Sequence, residues 1–265
     1  VAERAYLRVL GSRVRSQLAY PLSFTLDVLG QALAQAIELV AILVLFGRVA
    51  DLGGFRAPEV LLIYALAAIA LGLADLVVGQ LDDLPRWIRT GEFDVLLLRP
   101  LPVLTQLITA DLQLRRLGRV LVGAVVLVVV LTRAPVEWSA PMVVLLVSTP
   151  LVGGVIIGSI WVATCSVSFW VVEGRELANA FTYGSQLSSA YPITVFGPWL
   201  RRTLCFVVPG AFVAYFPALA VLDKPDPLGL PHLLRYAAPP VALATAAVAT
   251  LIWRAAVHHY QGVGS

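Results

Sequence analysis

The chain has 265 residues, 59% of them hydrophobic and 13% charged, with a mean hydropathy of +0.87. An ordinary soluble domain is nearer half apolar and a quarter charged, so a soluble enzyme is the least expected class and a polytopic, all-α membrane protein is expected. The formal charge of +3 is too small an excess to indicate a nucleic-acid partner.

Residues 1–20 carry Arg4, Arg8, Arg13 and Arg15, with Tyr6, Leu7, Leu10, Val14 and Leu18 at roughly helical spacing between them. This pattern predicts an amphipathic helix in the headgroup region rather than a cleavable signal peptide; a short solvated tail is the alternative. Beyond it, a hydrocarbon core of about 30 Å needs roughly 20 helical residues. Stretches 59–80, 104–131, 141–172, 203–222 and 236–257 meet this with little or no charge, and 22–46 does so while including Asp27 and Glu38. Six crossings in a single membrane domain, 1–265, are expected.

Within 22–46, Asp27, Gln31, Gln35 and Glu38 fall on one helical face. Polar groups in hydrocarbon are costly, so the stripe should face other helices or a wet pathway. It reads either as a lining for a polar or cationic part of a substrate or as interhelical hydrogen bonding. Asp75, late in the second span, reads as an interfacial acid.

The loop at 81–102 follows. Asp82 and Asp83 precede Pro85, an arrangement that starts a short helix. Trp87 lies between Arg86 and Arg89, Gly91 permits a turn, and Pro100 and Pro102 end the next run. An exposed aromatic between arginines would make a docking knob for a soluble partner; a loop lying on the membrane is the alternative. Further on, 141–172 would measure about 48 Å as one straight helix, so it must tilt, kink or protrude. Its Gly153, Gly154 and Gly158 form a small-residue face for close helix approach. Cys165 and Cys205 read as packing residues in apolar surroundings.

Residues 176–200 are half polar but uncharged between Glu176 and Arg201. Either they form an interfacial helix and 203–222 crosses with kinks at Pro209 and Pro217, or they cross and 203–222 dips into the outer leaflet and returns. Charge favours the first. With the N-terminus inside, it puts fourteen basic residues on the cytoplasmic side and five outside, whereas the second gives twelve and seven. Either way both termini are cytoplasmic.

No glycine-rich phosphate loop precedes Lys224, the single lysine, and His232, His258 and His259 have no companions at metal-ligand spacing. The chain is therefore expected to have no catalytic residues, no metal and no ATPase site of its own.

Three segments, RTGEFDVLLLRPLPVLTQ, FVVPGAFVAYFPALAVL and WRAAVHHYQGVGS, resemble permeases of type-two ATP-binding-cassette (ABC) exporters, most closely the viologen-exporter-like subgroup. The resemblance spans nearly the whole chain. It implies a six-helix permease of the bacterial cytoplasmic membrane with residues 1–20 as an elbow helix and 81–102 as the cytoplasmic coupling loop. Asp82, Asp83, Arg86, Trp87, Arg89, Glu92, Phe93 and Asp94 would then meet the ATPase. Two copies of a separate ABC ATPase, which bind the ATP and Mg, would drive this chain and a second permease, itself or a related chain. Alternating access would export an amphipathic or cationic compound, with Asp27, Gln31, Gln35 and Glu38 on its path. The alternatives are a proton-coupled secondary transporter using intramembrane acids, and lipid or polysaccharide ABC export.

Overall fold

The computed structural model describes Gly11, Arg15 and residues 19–110, 113–133, 138–170 and 190–260. The predicted elbow therefore lies almost wholly outside the described residues. α1 (Pro21–Phe46) begins with proline in its first turn, where no intrahelical N–H is required. α2 (Ala57–Val78) opens with Pro58 and a reciprocal cap in which the Arg56 amide donates to Glu59 Oε2 at 2.8 Å. α1 and α2 are joined by loop 47–56 at one end of the bundle, termed apical here. The basal end carries a single turn over Gly79–Asp83, then α3 (Leu84–Thr90), α4 (Glu92–Leu97) and α5 (Val103–Ala110).

The predicted third span is divided. α5 belongs to the basal element, where Gln106 Nε2 donates to the Leu96 and Leu101 carbonyls at 3.0 and 2.9 Å. A turn over Leu114–Arg116 then leads into α6 (Leu117–Leu131). The division follows the charge, because Arg115 and Arg116 sit at the start of the apolar run and are held at the bundle's end. Fifteen helical residues in α6 reach only about 22 Å.

α7 (Ala140–Ser166) is capped by Ser139, whose Oγ accepts from the Met142 amide at 3.4 Å, and it contains Pro150. It ends short of the predicted 172, giving way to a 3₁₀ turn over Val167–Phe169. The glycine face does bring backbones together: a Cβ at Gly153 would stand 3.0 Å from the Ala70 side chain, and one at Gly154 would stand 3.2 Å from the Ala70 carbonyl.

α8 (Pro198–Phe206) and α9 (Tyr215–Val221) are separated by a break at Pro209 and bent by 68° across it. Both flanks of this pair reach loop 47–56, since the Thr194 side chain lies against Gly53 and Lys224 Nζ donates to the Gly54 carbonyl at 2.7 Å. Between them Val213 packs on Gly153, midway along α7. The segment enters from the apical end and returns to it, which corrects the reading favoured on charge. Arg201 goes with it, donating to the Thr194 and Phe196 carbonyls at 3.2 and 3.0 Å. The cost of broken helix at this depth is met by cover: every residue from Gly210 to Val221 is buried in protein. The crossing assigned to 176–200 falls mostly outside the described residues.

α10 (Ala238–His259) runs back to the basal end. Among the described residues four helical stretches, 21–46, 57–90, 140–169 and 238–259, are long and apolar enough to cross a membrane, or five if the bent pair counts as one.

Candidate functional site: the basal element and the α1 stripe

The basal element is held from above by hydrogen bonds and from inside by aromatic rings. Asp82 Oδ1 accepts from Trp161 Nε1 of α7 at 2.7 Å, with the Cys165 thiol 4.0 Å away. A bond from a neutral donor to a carboxylate is worth about 1.5–3 kcal/mol. Asp94 Oδ1 accepts from the Tyr260 hydroxyl at 2.8 Å, just past α10. Burial first, then the Asp94 bond and charge, push the Tyr260 phenol up to about 12, so it stays a donor at neutral pH.

Phe93, fully buried, meets Phe169 and Tyr260 edge-on at 5.0 and 4.9 Å between centroids, and Phe169 meets Trp253 at 5.7 Å. Each such pair adds about 0.5–1.5 kcal/mol beyond area burial. The cluster therefore ties α4 to the basal ends of α7 and α10. Gly91 makes this possible with φ of +73°, a left-handed turn that aims α4 back at the bundle.

The outer face of α3 and the turn after it is charged, whereas Val95 and Leu98 further on are exposed apolar residues. Arg86 bridges Asp83 at 3.8 Å and Glu92 at 3.6 Å, Thr90 Oγ1 donates to Glu92 at 3.1 Å, and Arg89 is exposed. Asp83 stands in the cap position but makes no side-chain cap bond. Trp87 corrects the sequence reading, because it is only 9% exposed and belongs to the core. On a short helix with Pro85 and Leu84 also buried, the indole faces the bundle and the arginines on either side face out. It is not a knob; on α3 and the turn after it the exposed side chains are those of Arg86, Arg89, Thr90 and Glu92.

The α1 stripe is split. Gln35 is 3% exposed and locks α1 to α2: its Nε2 donates to the Tyr64 hydroxyl and, at 2.9 Å, to Glu38 Oε2, while Tyr64 returns a bond to the Gln35 carbonyl at 2.9 Å. Gln31 lies against Gly118 of α6, where a Cβ on the glycine would stand 3.0 Å from the Gln31 Cβ. Asp27 and Glu38 are exposed. Gln35, Glu38, Tyr64 and Ala190 line a cleft of about 10 Å³, room for about one water. A cavity of about 420 Å³ lies elsewhere, between α2, α7 and α10, and its walls are almost wholly apolar.

One ionic cluster was not legible as such in the sequence. Asp75 of α2 is flanked by Arg116 at 3.1 Å and Arg119 at 3.7 Å, with all three side chains 12–17% exposed, and Arg116 also donates to the Asp75 carbonyl. The available signal was an acid four residues before Gly79 and arginines at the start of the next apolar run. Spacing alone cannot show that the two helix ends are adjacent.

The described residues thus form a helical bundle with a short helical element anchored across one end. The chain belongs to the ABC-2 family transporter proteins, whose pattern it matches over residues 32–264. It is thus the membrane subunit of an ABC transporter, from a family whose permeases typically lack an ATPase site, bind no cofactor themselves and work with an ABC ATPase. No curated protein and no solved structure matches the chain.

Proposed function

We propose that this permease is the six-span exporter subunit of the viologen-exporter-like type, with residues 81–102 as its contact to an ATPase, two copies of which drive it together with a second permease. The six crossings in this reading are α1, α2, α6, α7, the 176–200 segment and α10. The basal end faces the cytoplasm, in keeping with twelve basic residues against seven. The observation that carries the coupling role is the division of labour across the Gly79–Asp83 turn, α3 and α4. Asp82, Phe93 and Asp94 grip α7 and α10, while Arg86, Arg89 and Glu92 present charge outward. A push on the exposed face is delivered through Trp161, Phe169 and Tyr260 to two spanning helices. Trp87 acts by packing rather than by touching the ATPase.

The substrate is an amphipathic or cationic compound, supported by Asp27 and Glu38 on an exposed edge of α1 next to the Gln35–Tyr64 lock. The exposed face of α1 is available to lipid or to the second permease. Substrate and ATP can drive transport only if each binds the two states with different strength. Against a proton relay through Asp75 stands its pairing with two arginines.

The test is to purify the tagged chain with the products of its neighbouring genes and assay ATP hydrolysis. An ATPase should co-purify and be lost or weakened by Arg89→Glu with the permease still folded; recovery of no ATPase would sink the reading. In the same cells, Glu38→Gln should reduce ATP-dependent dye or viologen efflux, and unchanged efflux would remove Glu38 from the path.

A further inference from the structure

A second groove, of about 520 Å³, opens at the apical end between the start of α7, Pro217 of α9, the turn over His232–Tyr236 and the start of α10. Its walls are mostly apolar, with Val144, Leu145 and Val152 of α7 along one side beside the hydroxyls of Ser148 and Thr149, and Arg235 is set into it. Arg235 is 8% exposed. Its described partners are the Lys224 carbonyl, which accepts from Nη2 at 2.7 Å, and Asp223, 3.7 Å from Nη1 with a side chain 97% exposed. A guanidinium has five N–H donors, so these contacts do not exhaust it. The neighbouring cation, Lys224, is already taken by Glu59 at 2.6 Å and by the Phe55 ring.

We propose that this groove binds an anionic membrane phospholipid, with the phosphate on Arg235 and an acyl chain along Val144, Leu145 and Val152. Three observations choose that occupant. The groove opens to the bilayer-facing surface, since Val144 is 66% exposed and continues the exposed apolar row of Val147 and Leu151. Tyr236 lines the groove at 53% exposure, and Trp138, the residue before the lining Ser139, is 59% exposed; such aromatics sit at headgroup depth. The buried charge at that depth is positive, which favours a phosphate and opposes the cationic compounds proposed as cargo. A lipid seated there would brace α9 against α7 and α10.

The test uses the purified, delipidated full-length permease, and its readout is binding, so it is independent of any ATPase. Dioleoyl-phosphatidylglycerol, dioleoyl-phosphatidylcholine and oleate are titrated and followed by native mass spectrometry and thermal shift. Phosphatidylglycerol should bind tighter than phosphatidylcholine. Arg235→Gln should weaken it about tenfold and abolish the preference, as expected for a charge-assisted hydrogen bond, and Arg235→Lys should restore part of it. Val144→Trp alters an exposed side chain, leaves the core intact and should block the acyl site. Equal binding of the two phospholipids to the wild type, or full phosphatidylglycerol binding by Val144→Trp, would overturn the proposal. Oleate binding as tightly as phosphatidylglycerol would overturn the phospholipid assignment.

Discussion

α1 and α2 are both apolar enough to cross a bilayer, yet 11% of the most apolar stretch of α1 is buried against 67% of the corresponding stretch beginning with α2. α2 is the axis of the bundle. It packs on α6 through Gly72 and Gly123, on α7 through Ala70, and on α1 through Tyr64. α1 touches its neighbours along one edge and leaves Leu22, Leu26, Leu29, Leu33 and Ile37 exposed. Hydropathy places both helices in hydrocarbon but does not say whether the apolar surface meets lipid or protein, because lipid tails are as apolar as leucine. Small residues carry that distinction.

The same chemical change should therefore have opposite consequences in the two helices. The largest contrast is between the acids. Asp75→Asn removes the partner of two partly buried arginines and should cost about 3–5 kcal/mol, whereas Asp27→Asn on exposed α1 should stay within about 0.5 kcal/mol. Thermal unfolding in detergent measures both, and equal losses would break the comparison.

Glycine gives the next contrast. A Cβ at Gly72 would press on Val120, whereas Gly30 has open space around it. Gly72→Leu should destabilise by about 1–3 kcal/mol, while Gly30→Leu should be neutral or should gain up to about 1 kcal/mol from helix propensity.

Tyr64→Phe sharpens the point at the seam between the helices. It removes both bonds to Gln35 and leaves a buried amide short of partners, so about 1–3 kcal/mol should be lost. Hydrogen exchange should show α1 loosening before α2, and protection falling equally in both would contradict the seam. The smallest effect is expected from Leu33→Ala, within about 0.5 kcal/mol for the isolated permease. A larger loss that depends on protein concentration would show a second copy covering that face.

Most spans were legible because their signal is local. Predicted 22–46 and 59–80 correspond to α1 at 21–46 and α2 at 57–78, since a long, mostly apolar run preceded by proline or arginine leaves little freedom in its ends. The third span was less legible. The run from 104 to 131 reads as continuous, but Arg115 and Arg116 interrupt it and Gln106 is drawn to the basal loop. At 203–222 the arginine count favoured a crossing, yet the segment bends back to the apical end, where Arg201 is bound by local carbonyls.

The candidate site was legible as a segment but not as a set of faces. Asp82 and Asp83 before Pro85 pointed to a short helix where α3 lies, while Trp87, read as exposed between two exposed arginines, faces inward. Phe93 and Asp94 were named without any sign that Phe169, Trp253 and Tyr260, far along the chain, would close around them. In α1 the four-residue spacing truly aligns the stripe, and only contacts with Tyr64 and Gly118 separate Gln35 and Gln31 from Asp27 and Glu38.

By itself the sequence determined that the chain lives in a bilayer, roughly where its helices run, and that residues 81–102 form a short amphipathic break between them. Those features follow from transfer free energy and backbone stereochemistry, which are summed locally. The tertiary structure decided the re-entrant course of 198–221, the pairing of Asp75 with Arg116 and Arg119, the burial of Trp87 and the groove beside Arg235. Each of these depends on which distant surfaces meet, and no local sum of residue preferences contains that information.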